Sequence, residues 1–171
     1  MTAQVRDSIH FEGRDFALAS EPLGTWLARR RNRDLRFRRP HTACSRGYVA
    51  SWAVARGRLY LTGFTATWPD GREATVEELF DRYPPSYYAS THALDPAHAG
   101  PGHFAFWFSE TVCCPFGRLL RYEHVAYGGI RERDLFLRFH DGFLVGSSIR
   151  ENTLPPIDPF EAELEDLDLD V

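Results

Sequence analysis

Residues with chemical capacity concentrate in two stretches, TACSRGY at 42–48 and YEHVAYGGIRE at 122–132. Cys44 stands two residues before Arg46, so a thiolate there would have a cation beside it. With His124 as base and Glu123 or Glu132 orienting the imidazole, such a cysteine would be a nucleophile. Free cysteine is also among the most buried residue types, and a Cys44 packed as a small hydrophobe would do no chemistry; packing is the first expectation. In the second stretch Gly128-Gly129 breaks the alternation, which permits a bulge or a close backbone approach. Tyr122, His124, Tyr127 and Glu132 then present hydroxyl, imidazole and carboxylate groups around one kink. Beside Arg46 and Tyr48 they would form a ligand-facing polar cluster. The competing expectation, and the weightier one, is a buried network in which these groups satisfy one another.

The remaining candidates carry less. Cys113 and Cys114 are adjacent, so on a strand they face opposite sides and do not share a metal. The seven histidines (His10, His41, His92, His98, His103, His124 and His140) make neither HxH nor HExxH, and no CxxC accompanies them. The chain has no phosphate loop. These residues point to no metal site and no cofactor.

A third charged feature is the run Arg29, Arg30, Arg31, Arg33, Arg36, Arg38 and Arg39, interleaved with Trp26 and Phe37. Arg30, Arg33 and Arg36 are the partner-binding candidates. Arginine forks with aromatic anchors suit an acidic protein surface, and they also suit phosphates and stacked bases. A solvated helix end accounts for the same charges, with Leu35 and Phe37 pointing inward while Arg36 and Arg38 point out. The C-terminal stretch EAELEDLDLDV is the acidic counterpart. It fits either an extended segment that adds to a sheet edge or a disordered solubilising tail.

The elements that must position these residues follow from composition and pattern. At 171 residues one domain is expected, long enough to bury roughly 70% of its unfolded surface. Aromatics make up 14% of the chain, which favours pleated surfaces over a helical bundle. Net charge is −4, so no global bias toward nucleic acid or anionic membranes exists, and all twenty basic residues are arginine. High-GC codon usage is the first expectation for the missing lysine, and avoidance of lysine-directed modification the alternative. Three cysteines without a framework fit a reducing compartment, and neither a signal core nor a membrane-length apolar run is present, so a cytoplasmic protein is expected.

Alternation predicts hairpins over residues 9–18, 49–61 and 135–145, turning at Glu12-Gly13-Arg14, Arg56-Gly57 and Asp141-Gly142. Further strands are expected over 103–114 and 118–124. Ser20 with Pro22 predicts one helix start, and Thr75 with Glu78 a capping box for another. The fold class expected is mainly β (α+β), a single antiparallel, strongly curved sheet or barrel-like sandwich with two short helices. It would occupy residues 8–152, with a Pro-rich linker and acidic tail over 153–171. The Pro-rich stretch 83–102 is expected to be a long loop.

Several of these residues together resemble the pattern of a family of small bacterial proteins of unassigned function. They are the hairpin at 9–18, Pro22-Leu23, the strand TACSRGYVASW at 42–52, Leu59-Tyr60-Leu61, Trp107-Phe108, and Tyr122, His124, Tyr127 and Glu132. The resemblance spans about residues 8–146 and implies a fold; it supplies no catalytic residue. Variable gene neighbourhoods in that family imply toxin immunity or defence. The leading expectation is therefore a non-enzymatic binding protein with a protein partner and no membrane contact. The alternative is an enzyme or small-ligand binder using the Arg46, Tyr48, Tyr122, His124, Tyr127 and Glu132 cluster. Nucleic-acid binding through the arginine run is third.

Overall fold

The computed structural model describes residues 3–81, 100–123 and 126–154. His124, most of the Pro-rich stretch expected as a loop (with His92 and His98), and the acidic tail lie outside them. In chain order the elements are β1 (Ser8–Phe11), β2 (Arg14–Ala17), α1 (Pro22–Leu27), β3 (Tyr48–Ala55), β4 (Arg58–Ala66), α2 (Val76–Phe80), β5 (His103–Phe104), β6 (Thr111–Arg121), β7 (Ile130–His140) and β8 (Phe143–Glu151). The domain is mainly β, an eight-stranded sheet with two short helices.

The three hairpins form at the expected turns. Both turn residues have positive φ in each: 48° and 76° at Glu12-Gly13, 50° and 70° at Arg56-Gly57, 48° and 79° at Asp141-Gly142. That is the twist a two-residue hairpin needs. Gly142 is required twice over, since a Cβ there would stand 2.6 Å from the Ala105 carbonyl oxygen.

The sheet differs from the expected all-antiparallel, barrel-like one. Its order is β2-β1-β3-β4-β8-β7-β6, and β1 runs parallel to β3 with Ser8 opposite Ser51 and Ile9 opposite Trp52. The chain leaves β2 through α1 and the arginine segment before entering β3, which is the long crossover a parallel pair needs. The sheet does not close into a barrel. β4 meets β8 only at Arg58 and Phe143, because its next residues, Tyr60 and Leu61, pair with β5 instead. Among the described residues β8 has no partner on that side from Val145 onward, with Val145 and Ile149 exposed.

The stretch expected as one strand over 103–114 divides into β5 and β6. Phe104 to Phe108 are all buried, and a run buried at every position fills a core rather than alternating across a sheet. The Phe108 N–H closes a turn on the Ala105 carbonyl (3.0 Å), and Trp107 reaches both Trp26 of α1 and Trp52 of β3. The strand expected over 118–124 is instead the end of β6, reached through a register shift after Phe116 where Gly117 takes φ +82°. Pro115 is tolerated because β6 ends the sheet order.

Both helices are too short to stand without tertiary packing. Trp26, fully buried, packs on Phe80, Phe106 and Trp107 and donates its indole N–H to the Leu79 carbonyl (3.1 Å), locking α1 to α2. The capping box forms as expected: Thr75 accepts from the Glu78 N–H while the Glu78 carboxylate accepts from the Thr75 N–H (2.9 Å). Ser20 is not a cap. Its hydroxyl accepts from the Cys113 N–H (3.0 Å) and ties the entry of α1 to β6.

Candidate functional site

The corner before β3 turns Arg46 inward. The Gly47 N–H donates to the Cys44 carbonyl (3.1 Å), and Gly47 takes φ +80° with no room for a side chain, since a Cβ would lie 2.9 Å from Phe37 Cβ. The Arg46 side chain, 8% exposed, reaches Asp7, whose side chain is 1% exposed, with Nη2 2.5 Å from Oδ1. Nη1 donates to the Val5 carbonyl (2.9 Å), to the Tyr127 hydroxyl and, at 3.5 Å, to Glu21. The Tyr127 hydroxyl in turn donates to Glu21. The guanidinium also sits 5.0 Å from the Tyr48 ring centre and 5.9 Å from that of Tyr127, within cation–π range of both.

Asp7 is equally occupied. Oδ1 also accepts from the Ala50 N–H (2.9 Å), and Oδ2 from the Trp52 indole N–H (3.4 Å). Burial pushes the Asp7 carboxyl up, against the pull of Ala50, Arg46 and Trp52. Burial works against the Arg46 charge as well, but Asp7, Tyr127, Tyr48 and Glu21 together outweigh it and hold the guanidinium above its ordinary value. Burial likewise raises both Tyr48 and Tyr127, the second further through its bond to Glu21. Charge neutralisation is thus internal: the cation is fixed by a buried carboxylate and a half-exposed one. Each oxygen of Asp7 already accepts a bond, so its chemistry here is to hold the corner, the first strand and Tyr127 together.

The structure brings together Arg46, Tyr48 and Tyr127, and separates Glu132, Tyr122 and Cys44 from them; His124 lies outside the described residues. Glu132 braces the β6–β7 ladder: it accepts from the Arg118 backbone N–H (3.0 Å) and Arg118 Nε (3.1 Å), and the Arg118 N–H holds its carboxyl low. Tyr122 is exposed and lines a neighbouring cleft with Arg6 and Arg131. Cys44, 3% exposed, turns its thiol into the core and donates to the Tyr48 carbonyl (3.4 Å). Cys114 is buried and its thiol pushed up to about 12 by burial and by Cys113, which is half-buried on the opposite face. No group of three or more metal-ligating side chains assembles among the described residues.

Arg30, Arg33 and Arg36 stand exposed on a segment fixed from below. Asn32 is fully buried and donates to the Trp26 carbonyl (2.8 Å), Leu35 is buried, and the Arg38 N–H donates to the Thr67 carbonyl (2.7 Å). Phe37 packs on Tyr48, Phe64 and Trp68. The aromatics interleaved with the arginines thus face the core rather than the surface.

Asp7, Glu21, Arg6 and Arg131 were not singled out by residue type or spacing. Asp7 lies 39 positions from Arg46, and only the parallel β1–β3 pairing makes them neighbours. No protein-family model matches the chain, and searches of curated proteins and of solved structures found no similar protein. No helix among the described residues is long and apolar enough to cross a membrane.

Proposed function

We propose that the chain is a non-enzymatic protein-binding protein whose acidic partner docks on the arginine arc at residues 29–39. The observation that supports this is the rigid presentation of the charge. Seven arginines stand in eleven residues of a chain whose net charge is −4. Arg30, Arg33, Arg36, Arg38 and Arg39 are exposed while Asn32 and Leu35 between them are buried. A fixed arc of forks loses little conformational entropy on docking and steers an oppositely charged partner toward it. Toxin immunity or defence is the form of this function that the family resemblance suggests.

Nucleic acid is the competing partner, and the full burial of Trp26 and the inward packing of the partly buried Phe37 argue against it. Single-stranded binding draws on stacking of bases on exposed aromatic rings, and the one ring within the arc, Phe37, is partly buried and packed on Tyr48, Phe64 and Trp68. Fluorescence anisotropy with single-stranded DNA, single-stranded RNA and a glutamate-rich peptide as labelled probes separates the two. Binding of the peptide that is abolished by R30E/R33E/R36E, with the nucleic acids weaker at physiological salt, is the expected result. Tighter binding of either nucleic acid, with a steep salt slope, would replace this function with nucleic-acid binding.

A further inference from the structure

Next to the Arg46 network lies a cleft of about 260 Å³ whose walls include Arg6, Leu119, Tyr122, Gly129 and Arg131. Its two arginines are held differently from the others in this region. Arg46 meets Asp7 and Glu21, Arg118 meets Glu132, and Arg150 meets Asp134. Arg6 instead donates to the neutral carbonyls of Tyr127 (2.6 Å) and Gly128 (3.4 Å) and lies 5.7 Å over the Tyr127 ring. Arg131 donates to the Gly117 carbonyl (2.7 Å). Neither makes an ion pair among the described residues. These bonds fix the guanidiniums in place without neutralising them. Asp134, the acidic group that acts on Arg6, is already held by Arg150 (2.7 Å) and Asn152 (2.9 Å).

We propose that Arg6 and Arg131 form an oxyanion site for a small phosphate monoester, with the exposed Leu119 and Tyr122 as the apolar rim for the group that carries the phosphate. Two like charges on one small cleft repel, and a dianion between them removes that repulsion; a monocarboxylate removes half of it. Guanidinium forks match phosphate oxygens bidentately. Consistent with mutual repulsion, burial and then the Arg131 charge lower the pKa of Arg6. Leu119 is 45% exposed and Tyr122 63%, so a ring or short alkyl group has apolar surface to cover. The volume limits the ligand to a small one. The site shares no residue with the arginine arc, so the two stand or fall separately.

The test is a titration of the full-length protein, at ionic strength held constant with sodium chloride, followed by ¹⁵N-amide NMR. Phenyl phosphate, inorganic phosphate and benzoate are the probes. Saturable shifts centred on residues 128–131 are expected, tightest for phenyl phosphate and weakest for benzoate. Arg131→Gln should weaken phenyl phosphate at least about tenfold. Arg131→Lys keeps the charge without the fork and should lose part of that affinity, which preserves the test if the glutamine variant misfolds. Arg138→Gln, an exposed arginine elsewhere on β7, should bind as the parent does. Absence of saturation, parent-like binding by both Arg131 variants, benzoate binding as tight as phenyl phosphate, or an equal loss in Arg138→Gln would each overturn the site.

Discussion

At the scale of single residues, Arg46 and Asp7 hold the centre of the molecule. Each is buried, and each is bonded through most of its polar atoms. Two atoms remain unsatisfied, Arg46 Nε and the Tyr48 hydroxyl, both buried without a partner among the described residues. Removing one member of a buried pair leaves the other uncompensated, so Arg46→Met should destabilise by about 3–5 kcal/mol in urea unfolding. Arg46→Met combined with Asp7→Leu should cost less than Arg46→Met alone. Equal or greater loss in the double variant would show that the pair is not coupled. The cysteines make a second expectation: native protein treated with iodoacetamide at neutral pH should leave Cys44 and Cys114 unmodified, as both are buried. Rapid modification of Cys44 would restore it as a candidate nucleophile. Much of this cluster was legible from residue type, since Arg46, Tyr48 and Tyr127 stand out in the sequence. Their carboxylate was not, because Asp7 carries no local sign of burial and finds its arginine only through strand pairing.

At the scale of elements, local chemistry was the readable part. An X-Gly pair between alternating runs specifies a hairpin by itself, and all three formed where the glycines stood. The Thr75–Glu78 box is equally local. Thr75→Ala should cost about 1 kcal/mol, measured by urea unfolding. Glu78 also gives a pH dependence with a definite sign. The Thr75 N–H, the Trp68 indole and Arg72 hold its carboxyl at about 2, below the ordinary 4.5. A depressed carboxyl contributes stability above its unfolded value, and that contribution is lost as pH falls from 4.5 through 2. Glu78→Gln should therefore be less stable than the parent at pH 6, and the difference should narrow as the parent is acidified through that window; a constant difference would contradict it. What stayed illegible at this scale was non-local. The parallel β1–β3 pair depends on how the chain returns after α1. The break between β5 and β6 depends on Phe104 to Phe108 being needed inside the core, where periodicity assigns them to a strand.

At the scale of the whole molecule, charge is distributed unevenly. Arginines collect on an anchored arc while net charge stays negative. Among the described residues the split between β4 and β8 leaves an unpaired sheet edge, the kind of surface on which an extended segment can pair. Its Val145 and Ile149 are exposed, so V145K/I149K should leave stability within about 0.5 kcal/mol of the parent. If the same variant keeps full affinity for a partner, the edge is not part of the interface. The arc was visible in the sequence as a charge run. Its rigidity was not, since it arises from Asn32, Leu35 and Phe37 reaching into the core from between the arginines. The central claim, that this arc docks an acidic protein, is tested most directly by capture from nuclease-treated extract of the native host. Wild type and R30E/R33E/R36E would be immobilised side by side and the bound proteins quantified. The account predicts an acidic protein held stoichiometrically by wild type and lost from the triple variant, whose fold is unchanged by circular dichroism. Equal capture by both, or capture that vanishes with the nuclease, would contradict it.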